Sequence, residues 1–409
     1  MKAFEFFNPT RILFGPNKIA ALPAHLPKNA RILFCFDEDA VMANHVYEAT
    51  CAALKPFPVM EFGGIKPNPD YDYLIKALPL IKKHSINWIV SAGGGSVLDG
   101  GKFIAAAACY QGDPWALTEK PFLVQKALPQ ACILTLSASG TEMNQWGVVS
   151  RRSLQLKRDF SGEALFPRLS ILDPNALLTL PPHQVTNGII DACSHVLEQY
   201  LTLPAETLLQ DRQAEALLLT LMENGRTILK NKNDLNARSQ FMWAATQALN
   251  DHLQTGVPSD FSSHRLSHAM TALYGLEHGQ TLALIFPASL FVLREMKHAK
   301  LLRYAKMVWQ LEGADEDLLV LTAIQKTRDF FMEVGGVVDP NIFGLTPDII
   351  PAILQYIKAE YGYPLGECHP IYEKEVRAIL KAMFSAPPVS SGSLSPRSND
   401  IVHCLHSIE

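Results

Sequence analysis

Apolar positions in the first part of the chain fall in short unbroken runs: Arg31–Phe36 (RILFCF), Trp88–Ala92 (WIVSA), Ala131–Leu136 (ACILTL) and Leu169–Leu172 (LSIL). Runs of this length bounded by turn residues read as strands buried on both faces. Between them, Tyr71–Lys83 and Val97–Cys109 read as helices. Strands alternating with helices predict a parallel sheet covered by helices. The pattern changes near Asp173-Pro174, and Pro181-Pro182 marks a turn. Beyond it Gln184–Leu201, Thr207–Lys230, Asn236–Leu253, Ser262–Tyr274, Leu318–Val334 and Glu373–Phe384 all read as helices. The expectation is an α/β domain over 1–178 followed by an all-helical domain over 179–384. From Ser385 to Glu409 the chain turns Pro/Ser-rich, with too little apolar surface to offset its ordering entropy, so this tail is expected to be disordered. His403, Cys404 and His406 lie in it and are read as unstructured rather than as a metal site.

A chain of 409 residues is long enough for these domains to bury real cores. Hydrophobic residues at 48% and charged ones at 19% exclude an extended disordered protein. A net charge of −4 provides no basic excess for nucleic acid. No apolar run approaches the roughly 20 residues of a membrane span. The first residues lack the apolar stretch of a secretory signal, so the cytoplasm is the expected location. Seven cysteines, an odd number with no C-x-x-C pair, read as free thiols in a reducing compartment.

Ser91-Ala92-Gly93-Gly94-Gly95-Ser96 follows a predicted strand and opens a helix. Glycines there let backbone N–H groups approach an anion, and a helix N-terminus adds positive partial charge. The loop is neither the usual dinucleotide fingerprint, because Leu98 stands where the third glycine belongs, nor a Walker A loop, because Ser96 stands at that motif's first glycine. A phosphate site and a simple tight turn both fit it. Ser137-Ala138-Ser139-Gly140-Thr141-Glu142 repeats the chemistry after another strand, at the carboxyl end where ligands of open α/β sheets collect. Asp37 follows the strand Arg31–Phe36; a carboxylate there accepts ribose hydroxyls and repels a 2′-phosphate, or is a solvated acidic turn.

In the helical half, Asp191 and His195 stand at i and i+4, on one helix face. His264 and His268 repeat that spacing, and His278 follows between Glu277 and Gly279. A lone histidine is more often a core or surface residue. A carboxylate with several imidazoles at such spacing suits Fe(II) or Zn(II).

Gly93–Lys102 (GGGSVLDGGK), Ser137–Glu142 (SASGTE), Asp191–Tyr200 (DACSHVLEQY) and Ser263–Pro287 (SHRLSHAMTALYGLEHGQTLALIFP) together resemble the iron-containing (group III) alcohol dehydrogenase family, butanol dehydrogenase and aldehyde reductase-like branch. The resemblance runs in order to about residue 384. It implies a fold of the dehydroquinate synthase-like type: an N-terminal dinucleotide-binding parallel-sheet domain, a C-terminal helical metal-binding domain, and a cleft between them. The implied metal ligands are Asp191, His195, His264 and His278. Gly94, Gly95, Ser96 and Asp99 correspond to the pyrophosphate loop, Ser137 and Ser139 to the second cofactor loop, and Asn68 and Lys157 to cofactor-side residues. His268 falls where the family has a histidine near nicotinamide and substrate, as proton relay or pocket wall. Phe261 is a candidate contact for a substrate alkyl chain, or an ordinary core residue.

The implied reaction is hydride transfer between a small primary alcohol or aldehyde and a nicotinamide. Fe(II) is expected, with Zn(II) also accommodated, and a homodimer or larger homo-oligomer. NADP-preferring relatives carry a glycine/serine turn where this chain has Asp37-Glu38-Asp39-Ala40, which favours NAD. Two competing readings are a dehydroquinate synthase-like lyase, whose family uses a glutamate and two histidines, and a non-catalytic nucleotide-binding scaffold. Gly100-Gly101 replaces bulkier family residues and is expected to loosen the phosphate helix, at about 1 kcal/mol per glycine.

Overall fold

A computed structural model describes residues 1–37, 40–203, 206–366 and 370–385. The expected disorder after Ser385, with His403, Cys404 and His406, lies outside the described residues, as do Cys368, Glu38 and Asp39.

Among the described residues eight strands are formed: β1 (Arg11–Phe14), β2 (Ile32–Phe36), β3 (Val59–Phe62), β4 (Trp88–Gly93), β5 (Gln130–Leu134), β6 (Trp146–Arg151), β7 (Leu156–Ser161) and β8 (Leu169–Leu172). Six make one parallel sheet in the order β1-β8-β5-β4-β2-β3. Helices α1 (Val46–Leu54), α2 (Ala77–His84) and α3 (Gly95–Ala107) connect or cover it. The unbroken apolar run of β2 has a direct cause: Leu33 and Cys35 pack into one core with Phe103 and Ile104 of α3, while Ile32, Phe34 and Phe36 pack into the core on the opposite face. The remaining strands, β6 and β7, pair as an antiparallel hairpin outside this sheet.

The predicted helix Tyr71–Lys83 is two pieces, Tyr71–Leu74 and α2. Strands β1, β3 and the β6–β7 hairpin add to the predicted set. Gly100 and Gly101 correct an expectation. Both are buried inside continuous α3, where a Cβ on Gly101 would overlap Ser91 Oγ and one on Gly100 would lie 3.1 Å from Leu74 Cδ2. Glycine there lets the helix lie close on β4 rather than loosening it.

After the turn at Pro174–Leu177 the chain is helical: α4 (Pro182–Tyr200), α5 (Leu208–Lys230), α6 (Leu235–Ala248), α7 (Ser262–Tyr274), α8 (His278–Val292), α9 (His298–Met307), α10 (Glu316–Glu333), α11 (Ile350–Glu360) and α12 (Glu373–Phe384). Helix α4 is the centre. Every residue from Gly188 to Tyr200 is buried, as expected of a helix enclosed on all sides. A helix so enclosed that still carries Asp191, His195 and Glu198 holds polar groups at a cost that packing alone does not explain. Cys35, Cys132 and Cys193 are buried free thiols. No helix of the described residues is long and apolar enough to cross a membrane.

Candidate active site

The carboxyl ends of β2, β4 and β5 face the helical half across a cavity of about 610 Å³. Its walls include Asp37, Asn68, Gly94, Gly95, Ser96, Asp99, Ser139 and Lys157 from the first half, and Asp191, His195, His264, His268 and His278 from the second.

On the sheet side, Gly94 caps α3 in an extended conformation, and the cap has no side chain to fill the approach. A Cβ on Gly95 would lie 2.6 Å from Ser139 Oγ, so the two hydroxyl- and glycine-rich loops are in close contact. Ser137 is buried in the same loop, and its hydroxyl has no hydrogen-bond partner among the described residues. Asn68 adopts a left-handed backbone (φ 54°) and donates its N–H to Ser96 Oγ at 3.2 Å. Lys157, on β7, donates from Nζ to Asn68 Oδ1 at 2.9 Å. Burial lowers the Lys157 pKa to about 8, against the pull of Asp191 and Asp99. Asp37 lies beside Gly93, whose Cβ would sit 3.1 Å from Asp37 Oδ2.

Asp99 has a different character from the loop residues. Its Oδ1 accepts from Thr141 Oγ1 at 2.6 Å and its Oδ2 from the Val148 N–H at 3.0 Å. Lys102, which is fully buried, donates to Thr141 Oγ1, Asn144 Oδ1 and the Asn144 and Trp146 carbonyls at 2.6–3.0 Å. The two charges of the D-x-x-K spacing thus tie α3 to the β6 strand.

On the helical side, one oxygen gathers three imidazoles. Asp191 Oδ1 lies 3.6 Å from His195 Nδ1, 3.9 Å from His264 Nε2 and 3.6 Å from His278 Nε2. Asp191 Oδ1, His195 Nδ1 and His264 Nε2 are buried and have no hydrogen-bond partner among the described residues. Buried polar atoms left this way are costly, and several aimed at one point are what a cation would satisfy. The outer nitrogens of His264 and His278 are engaged. His264 Nδ1 meets Glu198 Oε1 at 3.2 Å, and His278 Nδ1 meets Ser267 Oγ at 2.7 Å. Such outer partners orient imidazole ligands and raise their basicity.

Burial lowers the His195 pKa to about 4 and depresses His268 and His278 well below the ordinary value, so these rings are neutral with lone pairs available. For His264 burial acts in the same direction, but Asp191 and Glu198 overcome it and raise its pKa to about 9. Burial works against the Asp191 carboxylate, yet His195, His264 and Lys157 hold its pKa below the usual range. Carboxylate plus imidazoles in a buried pocket therefore fit a divalent transition metal. His268 lies beside this cluster, 5.4 Å from His278 between ring centroids, with Nδ1 3.4 Å from the Tyr361 hydroxyl. Phe261 meets His264 edge-on at 5.4 Å and lines the cavity.

Several contributors escaped the sequence reading. Glu198 and Ser267 were readable only as polar residues three positions after His195 and His264. Gly188 had a signal, a glycine inside the helix that bears Asp191.

Residues 9–174 match the family described as iron-containing alcohol dehydrogenase, and residues 185–384 match its C-terminal domain. The chain belongs to the iron-containing alcohol dehydrogenase family. Among its curated relatives, the NADPH-dependent aldehyde reductase YqhD of Escherichia coli is 42% identical over 385 residues, covering 93% of this chain and 100% of that protein. The NADH-dependent butanol dehydrogenase A of Clostridium acetobutylicum is 30% identical over 389 residues, covering 94% and 100%. The crystal structure of E. coli YqhD superimposes with a TM-score of 0.92 over 93% of this chain and 99% of that one. Butanol dehydrogenase A from Thermotoga maritima is 32% identical and gives 0.89 over 93% and 98%. The chain is thus a metal-dependent oxidoreductase of the alcohol/aldehyde class that works with a nicotinamide cofactor. The lyase and scaffold readings are not favoured.

Proposed function

We propose that this chain interconverts small primary alcohols and aldehydes by reversible hydride transfer with NAD in the cavity between its halves. The observation that carries the reading is the convergence of three imidazoles on Asp191 Oδ1 within a cavity that also contains the glycine loop. Residues 1–178 are assigned to the dinucleotide and residues 179–384 to the metal and the chemistry. Asp191, His195, His264 and His278 would hold the ion, Fe(II) by preference with Zn(II) admissible. When bound, it supplies Lewis-acid polarisation of the substrate oxygen, which favours alkoxide character at neutral pH.

The protein's own groups do the rest. The N–H groups of Gly94, Gly95 and Ser96 at the α3 N-terminus hold the pyrophosphate. Ser137 and Ser139 contribute hydroxyls, and Asn68 and Lys157 orient the nicotinamide half. Asp99 acts through Thr141 and Val148 to hold this wall in place. His268 handles the alcohol proton: with Nδ1 turned to Tyr361, Nε2 is the ring atom available to it. Orientation of the two reactants across one cleft accounts for much of the rate. A nicotinamide-linked enzyme with free thiols belongs in a reducing compartment, and the cytoplasm is the proposed location. A homodimer or larger homo-oligomer is the proposed assembly.

The test is a panel of short aldehydes and alcohols with NADH/NAD and NADPH/NADP, with iron or zinc supplied. Turnover of none of them sinks the proposal.

The choice of NAD rests on Asp37. Its carboxylate lines the cavity beside Gly93, and its Oδ1 accepts the Val41 N–H at 3.3 Å. A 2′-phosphate brought there meets like charge, which costs several kcal/mol. Asp37→Gly is expected to raise the NADP-to-NAD ratio of kcat/KM by roughly tenfold or more. An unchanged ratio shows that Asp37 does not read the ribose.

A further inference from the structure

Outside the histidine cluster, a second carboxylate links the two halves of the cleft. Asp251 follows α6 and is one of few non-glycine residues held in the left-handed region, at φ 69°. Its Oδ1 accepts from Trp146 Nε1 at 3.1 Å and from Gln254 Nε2 at 2.6 Å, and its Oδ2 from Gln145 Nε2 at 3.4 Å. Trp146 and Gln145 sit at the start of the β6–β7 hairpin; Asp251 and Gln254 belong to the helical half.

Trp146 and Gln254 both line the cavity, as do the apolar Leu249 and Phe261. Phe261 lies next to the histidine cluster by its edge contact with His264. The outer face of the same segment is braced from behind. The Lys2 N–H donates to the Gly256 carbonyl at 3.0 Å, and the Phe6 ring lies 5.4 Å from His252. The segment therefore has support from the N-terminal residues; just before it the Leu249 carbonyl accepts from Asn144 Nδ2 at 2.9 Å, and Asp251 adds a side-chain link to the hairpin.

We propose that Asp251 is a positioning residue that sets substrate size: by holding the Trp146 indole and the Gln254 amide together across the cleft, it fixes the width of the passage that takes the distal end of the aldehyde. The proposal rests on the alcohol/aldehyde reading of the site. With the latch intact, straight-chain aldehydes pass between Trp146 and Phe261 and bulky ones meet a fixed indole. Backbone held in a sparsely populated region at such a clamp persists because the surrounding contacts over-determine it.

The experiment compares kcat/KM for benzaldehyde and butanal. Asp251→Gly removes the carboxylate while tolerating the left-handed backbone. Trp146→Phe keeps a ring and removes the Nε1–H. Each is expected to raise the benzaldehyde-to-butanal ratio about tenfold, carried mainly by a lower KM for benzaldehyde. Asp251→Asn, which keeps one acceptor oxygen, should fall between. The double variant should gain little over either single one, because both cut the same link. An equal loss on both aldehydes, with the ratio unchanged, shows a merely structural Asp251 and overturns the latch alone. Absence of turnover in the unaltered chain overturns the parent reading and the latch with it.

Discussion

Asp191→Ala is expected to empty the site of metal and to lower kcat/KM by roughly 10³-fold or more. The effect should exceed that of losing any one imidazole. Asp191 Oδ1 is within 3.9 Å of a nitrogen on each of three histidines, and it brings the negative charge to that point. Glu198 does not replace it, because its Oε1 is engaged behind His264. Metal content by elemental analysis and aldehyde turnover are the readouts, with His264→Ala in parallel. Full metal and full activity in both variants would end the assignment. Stability gives a second readout. In metal-free protein His195, His264 and Lys157 favour the Asp191 carboxylate, and Asp191 with Glu198 favours the charged His264 ring, so the variant loses a buried charge pairing. Metal-free Asp191→Ala should therefore melt below the metal-free parent, and the metal-loaded parent well above both.

Gly188→Ala should lower kcat/KM by about 10²-fold while leaving every donor in place. A Cβ at Gly188 would lie 2.5 Å from the Ser137 carbonyl oxygen, a backbone atom that does not swing aside. Helix α4 carries Asp191 and His195 one and two turns further on. The loop it presses against carries Ser137 and Ser139, with Ala138 also against Gly188. One methyl group thus pushes the histidine helix away from the Ser137–Ser139 loop. Overpacking of this kind costs about 1–3 kcal/mol, visible in the melting temperature. The diagnostic result is metal still bound, a lowered kcat with saturating cofactor, and a modest loss of stability. Full activity would mean that the two halves can shift without consequence to the chemistry.

Much of the candidate site was legible because its residues cluster locally in sequence. The Asp191/His195 and His264/His268 pairs each lie one helical turn apart, and the Gly93–Ser96 loop joins a strand to the helix that follows it. The sheet was readable for the same reason. A strand buried on both faces leaves an unbroken apolar run, as in Ile32–Phe36. Strand β1 left no such trace: it lies at the sheet edge, with Arg11 and Phe14 exposed. The β6–β7 hairpin hid behind mixed polarity, since Lys157 and Arg158 point their charges to the cleft and to Glu360 rather than to solvent. Helix α8 was obscured by its internal Pro287 and by near-uniform burial from Thr281 to Leu290, which erases helical periodicity.

From residue order alone came the alternation of strand and helix, the candidate anion-binding turns, the candidate ligands and the likeness to one family. These depend on neighbours within a few residues, where backbone geometry dictates which side chains share a face. Tertiary structure decided the long-range matters: that one oxygen of Asp191 meets three rings, that Lys157 reaches Asn68, that Gly188 admits the Ser137 carbonyl, and that Asp251 joins Trp146 to Gln254. Each pairs groups brought together by packing of separate elements, and no spacing along the chain encodes where two packed surfaces meet.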